Sequence, residues 1–367
     1  MREESALPFR AIAAAPVRGR NPLALGRNAL TLGRGAVQAR RLIAELRPAA
    51  ILGTGGYVCV PLFVAARMVG VPTAIYLPDV VPGLAVRTLA RLATVVACNV
   101  EDSAKYFRLP IGDFELSEGS AGDHTQSKIH NLKSTILVTG YPVRGELFAQ
   151  DKAVCRAAFG LDASSPVLLV YGGSRGARSI NTAVAALLPQ LLPLAQIIHV
   201  CGREGDEGFL RAAAARLPGE LQKRYTLYPY LFGGADKQAS AHHVTPSMMR
   251  AFGAADLAIC RSGASTMAEL PAAALPAVLV PYPYVHQEEN ADYLVARGAA
   301  LKIGDADMLG SGRPEHGRLF QAVRRLLLDH EERLHMAACS RMLARPHAAR
   351  QLAALLLALA TSTRTER

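Results

Sequence analysis

Apolar residues along this chain gather in short runs, set apart by longer stretches in which they recur at helical spacing. The runs at 9–13, 49–52, 73–76, 95–98 and 136–138 read as buried strands, as do those at 167–171, 196–200, 225–228, 257–260, 277–280 and 300–303. Runs this short, with helix-patterned sequence between them, predict parallel sheets covered by helices on both faces. The six runs from position 167 onward suffice for one complete doubly wound domain. The expected fold is therefore α/β, with a first domain over 1–145, a second over 146–345 and a linker near 141–151. A final helix within 346–367 is expected to pack back on the first domain, and the polar stretches 115–134 and 233–245 read as surface insertions.

One stretch carries more chemistry than the rest. Ile259-Cys260-Arg261-Ser262-Gly263-Ala264-Ser265-Thr266-Met267-Ala268-Glu269 runs from a strand through a small-residue turn into a helix. Such a turn exposes unpaired backbone N–H groups at the positive end of the helix dipole, where a phosphate binds. Glu269, one turn into the helix, is placed to accept hydrogen bonds from a ribose diol; the plainer reading is a helix-start carboxylate that stabilises the dipole. The same grammar recurs at Gly172-Gly173-Ser174-Arg175-Gly176-Ala177 and at Gly53-Thr54-Gly55-Gly56-Tyr57. A single glycine-rich turn can reflect tight packing alone, but repetition points to anionic groups gripped by backbone amides.

Composition narrows the classes. At 367 residues, half of them apolar, the chain suits two domains of roughly 150 to 200 residues. No stretch approaches the roughly 18 uninterrupted apolar residues of a membrane-spanning helix, and no signal peptide opens the chain, so a soluble, cytoplasmic protein is expected. Cys59, Cys98, Cys155, Cys201, Cys260 and Cys339 lie far apart and read as reduced core residues. The net charge is +11, and twelve arginines precede Val100 against only Glu3, Glu4, Glu45 and Asp79. Arg27, Arg34 and Arg41 recur every seventh residue, with Arg40 and Arg47 on a neighbouring line, which puts a basic stripe on one helix face. That stripe suits an anionic membrane surface or is a plain solvated face; nucleic acid is a poorer partner, because no recognised motif accompanies the charge. His199 reads as a core histidine, and His242-His243 lacks companions for a metal. Asp305-Ala306-Asp307 reads as a turn or cap in preference to a metal pair.

Taken in order, Gly53-Thr54-Gly55-Gly56-Tyr57-Val58, Val81-Pro82-Gly83-Leu84, Ser103-Ala104-Lys105-Tyr106-Phe107, Pro142-Val143-Arg144, Gly172-Gly173-Ser174-Arg175-Gly176-Ala177 and Arg261-Ser262-Gly263-Ala264-Ser265-Thr266 with Glu269 resemble glycosyltransferase family 28. The resemblance implies a GT-B fold, two Rossmann-like domains facing across a cleft. It implies inverting transfer of N-acetylglucosamine from UDP-N-acetylglucosamine to a polyprenyl-diphosphate-linked muramoyl-peptide, lipid I to lipid II in peptidoglycan synthesis. It also implies attachment at the inner face of the cell membrane; because helix termini can meet the charge on a departing diphosphate, no metal or other cofactor is expected. Carried across by residue, Glu269 takes the ribose, Ser174 and the turn of Ala264, Ser265, Thr266, Met267 and Ala268 take the diphosphate, and Arg144 approaches from the linker. Gln287 and Asn290 read the sugar hydroxyls, and Leu231 falls where a backbone position pairs with uracil. The Gly53, Thr54, Gly55, Gly56, Tyr57 loop falls on the acceptor side.

Two departures from the family pattern bear on function. The residues Leu7-Pro8-Phe9-Arg10-Ala11-Ile12 resemble the family's third strand, so its opening strand-helix-strand units, with a first glycine-rich loop and a histidine, are missing. A start further upstream is the favoured explanation, and a remnant the other. At Tyr76-Leu77-Pro78-Asp79 the family usually has His-Glu-Gln-Asn, which puts Asp79 on a donor-facing position and makes it a candidate base; no other catalytic residue is assigned. Alternatives are a related transferase with another UDP-sugar or lipid acceptor, a hydrolysing UDP-sugar epimerase, and a nonenzymatic donor-binding subunit.

Overall fold

The computed structural model describes residues 8–16, 22–107, 109, 111–112, 135–232 and 245–365. The stretches 115–134 and 233–244, and with them His242 and His243, lie outside the described residues. In chain order the elements are α1 (Pro22–Leu46), β1 (Ile51–Gly53), α2 (Cys59–Val69), β2 (Thr73–Leu77), α3 (Leu84–Leu89), β3 (Val95–Cys98), β4 (Ile136–Val138), α4 (Lys152–Ala157), β5 (Val167–Tyr171), α5 (Arg178–Leu191), β6 (Gln196–Val200) and α6 (Glu207–Ala215). There follow α7 (Gly219–Gln222), β7 (Tyr225–Tyr228), α8 (Met248–Ala254), β8 (Leu257–Cys260), α9 (Thr266–Ala273), β9 (Ala277–Leu279), α10 (Gln287–Ala296), β10 (Ala300–Lys302), α11 (Arg318–Leu328), α12 (His330–Met342) and α13 (Ala348–Thr365). They form two compact units, Met1–Gly140 with His347–Arg367, and Tyr141–Pro346.

In the first unit four parallel strands lie in the order β1-β2-β3-β4. Every residue of β2 and β3 is buried, because helices cover both faces and leave no solvated side for polar alternation. Phe63, Ile75, Leu77, Leu89, Val96 and Ile136 fill the core. Helix α1 turns Gly35, Ala39 and Ile43 inward at a spacing of four, one face of a helix. The expected strand over 9–13 is not formed: residues 8–16 have no regular structure. They run instead along α1, where Gln38 Oε1 accepts the Ala13 N–H at 2.8 Å and a Cβ on Gly35 would overlap the Ala13 carbonyl. A side chain thus satisfies a backbone donor that a strand would have spent on a ladder.

The second unit holds a six-stranded parallel sheet in the order β10-β9-β8-β5-β6-β7. From β5 the chain winds outward through β6 and β7, then crosses back and winds the other way through β8, β9 and β10. The reversal puts the carboxyl ends of β5 and β8 side by side, with Tyr171 in register with Cys260. Ligands of open parallel sheets bind beyond such a switch point. Leu168, Val170, Ile180, Leu187, Ile197, Ile259 and Val278 belong to one continuous core beneath it.

Candidate functional site

Both glycine-rich turns of the second unit flank this reversal, one after β5 and one after β8. In the first, Gly172 lies so close to Ala177 that a Cβ would overlap it, and Gly176, at φ +88°, presses against the Cys201 carbonyl on the loop after β6. Only glycine tolerates that conformation without strain and that approach without a clash. Among the described residues, no acceptor takes the N–H groups of Gly173, Ser174 and Arg175, and Ser174 is exposed. In the second turn, α9 begins at Thr266, and the first N–H groups bonded within the turn are those of Met267 (to Gly263 O, 3.3 Å), Ala268 and Glu269 (both to Ser265 O, 3.0 and 2.8 Å). The N–H groups of Ala264, Ser265 and Thr266 are left unspent among the described residues, at the positive end of the helix.

Glu269 sits half-buried one turn into α9. Burial pushes its carboxyl up from the ordinary value, while a hydrogen bond from the Ser265 side chain and the guanidinium of Arg144 pull it back down. Arg144 is exposed and precedes the short turn Gly145–Phe148, so an extended segment brings one cation toward this carboxylate. Across the turn from α9, α10 presents Gln287 and Asn290. The Gln287 Oε1 accepts from the Tyr282 N–H at 2.9 Å, and its Nε2 lies beside Gly263. Asn290 is fully buried, and its Nδ2 donates to the Ser262 carbonyl at 3.0 Å, while Ser262 Oγ donates to the Gln287 carbonyl at 2.7 Å. These bonds lock the β8 turn to the start of α10. Leu231 is buried beyond the end of β7.

The remaining candidates belong to the first unit. The loop Gly53-Thr54-Gly55-Gly56-Tyr57 joins β1 to α2, and Cys59 Sγ donates to the Gly55 carbonyl at 2.8 Å. Asp79 follows β2, and its carbonyl accepts from Ser103 Oγ at 3.3 Å. On the outward face of α1, Arg27, Arg34 and Arg41 are exposed beside Leu23, Leu30 and Val37. Gly26, Ala29 and Gly33 complete an open groove with Leu30, Arg34, Val37 and Arg41.

Sequence reasoning missed a polar brace under the reversal. Arg261 donates to Asp305 Oδ1, to the carbonyls of Val280 (3.0 Å) and Pro281 (3.1 Å), and to Ser179 Oγ (2.7 Å). Ser179 Oγ itself donates to Asp305 at 2.7 Å. The side chain of Arg261 is only 12 % exposed, so the pair ties α5, β8 and the loop after β10 together where water screens little. Among the described residues no group of three His, Cys, Asp or Glu side chains is placed to hold a metal ion. His199 is fully buried; Tyr225 donates to its Nδ1 (2.8 Å) and its Nε2–H donates to Asn181 Oδ1 (3.0 Å) in the neutral tautomer, and burial pushes its pKa down to about 3. No helix of the described residues is long and apolar enough to cross a membrane.

Known proteins place this arrangement. The model of the glycosyltransferase family 28 C-terminal domain matches residues 167–352, and that of the N-terminal domain matches residues 1–98. A relative from Roseiflexus sp. strain RS-1, a UDP-N-acetylglucosamine–N-acetylmuramyl-(pentapeptide) pyrophosphoryl-undecaprenol N-acetylglucosamine transferase, is 60 % identical over 363 residues, which are 99 % of this chain and 81 % of the relative. The Chlorobaculum tepidum protein of the same name is 36 % identical over 88 % of this chain and 76 % of its own length. The crystal structure of Acinetobacter baumannii MurG superposes with a TM-score of 0.66 at 24 % identity, covering 97 % of this chain and 86 % of that one, and so shares the GT-B fold. A UDP-GlcNAc 2-epimerase from Neisseria meningitidis superposes with a TM-score of 0.59 at 13 % identity over 89 % of this chain and 81 % of its own, a likeness of fold alone. With both domain models matched in order and a 60 % identical relative spanning nearly its whole length, the chain belongs to glycosyltransferase family 28.

Proposed function

We propose that this chain transfers N-acetylglucosamine from UDP-N-acetylglucosamine to a polyprenyl-diphosphate-linked muramoyl-pentapeptide, the conversion of lipid I to lipid II. The observation that carries the reading is the convergence of two amide-lined turns and Glu269 at the strand reversal of the second unit. The 60 % identity to a named transferase supports the choice of substrates. In this reading the turns after β5 and β8 hold the UDP diphosphate, through Ser174, Ala264, Ser265 and Thr266, and Glu269 accepts from the ribose hydroxyls. Met267 and Ala268 carry the first turn of α9 that aims the dipole. The uracil pairs with the backbone at Leu231, Gln287 offers its amide nitrogen to the sugar, and Asn290 acts by fixing the turn on which Gln287 rests.

Transfer with inversion requires a base to take the acceptor hydroxyl proton as that oxygen attacks the anomeric carbon and UDP departs. The charge that builds on the diphosphate is met by N–H groups already aimed at it, and each such donor is worth about 3 to 4 kcal/mol in comparable sites. The mechanism therefore includes no metal, and transfer should proceed at full rate in excess chelator. Asp79 is the candidate for the base, and the Gly53 to Tyr57 loop for contact with the acceptor. The outward face of α1 docks on an anionic membrane surface from the cytoplasmic side, its arginines near headgroups and Leu23, Leu30 and Val37 toward the acyl boundary.

The direct test is incubation of the chain with labelled UDP-N-acetylglucosamine and a polyprenyl-diphospho-muramoyl-pentapeptide. The expected result is label in the lipid fraction as a disaccharide, with UDP raising the melting temperature of the protein. A protein that neither transfers label nor responds to UDP overturns the reading; label delivered from another UDP-sugar corrects its donor.

A further inference from the structure

We propose that Arg203, stacked on Tyr230, selects a uracil base in the donor site, an assignment that rests on the donor-site reading above. The loop after β6 lies hard against the phosphate turn. The Arg203 N–H donates to the Ser174 carbonyl at 3.3 Å, and a Cβ on Gly202 would overlap the backbone at Gly176. From this fixed backbone the guanidinium carbon of Arg203 stands 3.8 Å from the centroid of the Tyr230 ring and 6.0 Å from that of Phe232. Phe232 meets Tyr230 edge-on at 5.3 Å, so the two rings and the guanidinium form one shelf around Leu231.

The charge on this shelf is uncommitted. Arg175 and Arg203 stand on the two loops and Arg178 opens α5, and two of the three are neutralised: Arg175 donates to Glu204 at 2.5 Å and Arg178 to Asp206. Among the described residues no carboxylate or carbonyl accepts from the Arg203 guanidinium. A nucleoside leaving the diphosphate toward β7 therefore meets a planar edge made only of N–H donors, held in place by its stack. Uracil presents its O4 carbonyl to such an edge. Cytosine presents an amino group at the corresponding position, and arginine has no acceptor to offer it.

The test is calorimetric titration of the full chain with UDP and with CDP, for the wild type and for Arg203→Ala, Arg203→Lys and Tyr230→Leu. The wild type is expected to favour UDP over CDP by about tenfold or more, the scale of one good hydrogen bond in an affinity. Arg203→Ala should narrow that ratio, chiefly by weakening UDP. Tyr230→Leu should narrow it as well, since it removes the stacking face and leaves the charge. Arg203→Lys keeps the charge without the planar fork, and its ratio should stay narrowed. Equal weakening of UDP and CDP by Arg203→Ala would make the contact a phosphate contact and overturn base selection; unmoved affinities would overturn it too. Wild-type protein that binds neither nucleotide overturns the donor-site reading itself, an outcome distinct from these.

Discussion

The chain uses a glycine-rich turn after a strand in both units, and the two settings differ. In the first unit the turn follows β1, which pairs only with β2 among the described residues and stands at the end of a sheet that advances in one direction. Its glycines give room to side chains: a Cβ on Gly53 would come within 2.5 Å of the Phe63 ring, and one on Gly55 within 2.8 Å of Val86. Apolar Tyr57 and Val58 are exposed beside it. In the second unit two turns meet at a reversal, Gly176 of the first gives room to the backbone of the loop after β6, and Glu269, Arg144 and Arg261 lie about them. Glycine content alone does not distinguish the two places. Strand order does, because only a reversal gathers several sets of backbone donors on one side of a sheet.

The largest expected effect separates the two turns directly. Gly176→Ala puts a Cβ into the Cys201 carbonyl at a backbone of φ +88°, a strain of about 3 kcal/mol that chemical denaturation should register together with loss of UDP binding. Gly56→Ala also meets a positive φ, +77°, but in open space, and should cost about 1 kcal/mol with UDP binding intact. Equal losses of UDP binding would break the comparison, since the first-unit turn would then share the donor site.

Next in size is Glu269. Glu269→Ala removes a charged acceptor and should weaken UDP by about 2 kcal/mol in calorimetric titration. Burial holds its folded pKa above the ordinary value of about 4.3, so the carboxylate is lost earlier than usual as pH falls. UDP affinity should therefore drop through that raised pKa, and Glu269→Gln should flatten the dependence. The stability of the unliganded protein should change with the opposite sign. A group whose folded pKa is raised contributes stability fully present below its unfolded pKa and lost as pH rises through the folded one, so acidification in this window favours the fold while it disfavours the ligand. Parallel pH profiles for the wild type and Glu269→Gln would remove the carboxylate from the site.

On the first unit the corresponding test is electrostatic. Arg34→Ala and Arg41→Ala should each reduce co-sedimentation with anionic vesicles by about 1 kcal/mol, with the difference shrinking as salt rises. Equal pelleting by neutral vesicles would leave the exposed apolar residues of α1 as the whole attraction.

Most of this was legible in the sequence, for identifiable reasons. Strands from β1 onward could be read because buried parallel strands are continuous apolar runs; β5 and β6 are buried at every position. The segment 9–13 carries similar residues but runs beside α1 without a ladder, and its lien on Gln38 spans 25 residues, which no local pattern reveals. The two small-residue turns and the place of Glu269 at the start of α9 could be read because those residues are contiguous. The brace of Arg261, Asp305 and Ser179 could not: its members lie 44 and 126 residues apart, and Asp305 by itself reads as a turn residue or half of an acidic pair. Asn290 stood out in the sequence only as a candidate reader of sugar hydroxyls, whereas its bond to Ser262, 28 residues away, needed the fold.

The smallest effect bears on what holds the reversal closed. Tyr171 ends β5 opposite Cys260, its ring meets Phe252 edge-on at 5.4 Å, and its buried hydroxyl lies against the Cys260 thiol and Thr266 without a well-formed hydrogen bond among the described residues. Burial pushes that hydroxyl well above its ordinary pKa, with the Cys260 thiol and Glu269 adding to the shift, so it stays protonated throughout the accessible range. A buried hydroxyl without a well-formed hydrogen bond carries a desolvation cost that is little offset. Tyr171→Phe keeps the ring and removes the cost, and should leave stability unchanged or raised by up to about 1 kcal/mol in chemical denaturation, with UDP affinity unaltered. A loss of stability or of UDP binding would mean that the hydroxyl is engaged with Thr266 at the foot of α9. The junction of β5 and β8 would then be held by a side-chain hydrogen bond, and the contrast between the two units would lie in polar bracing more than in strand order.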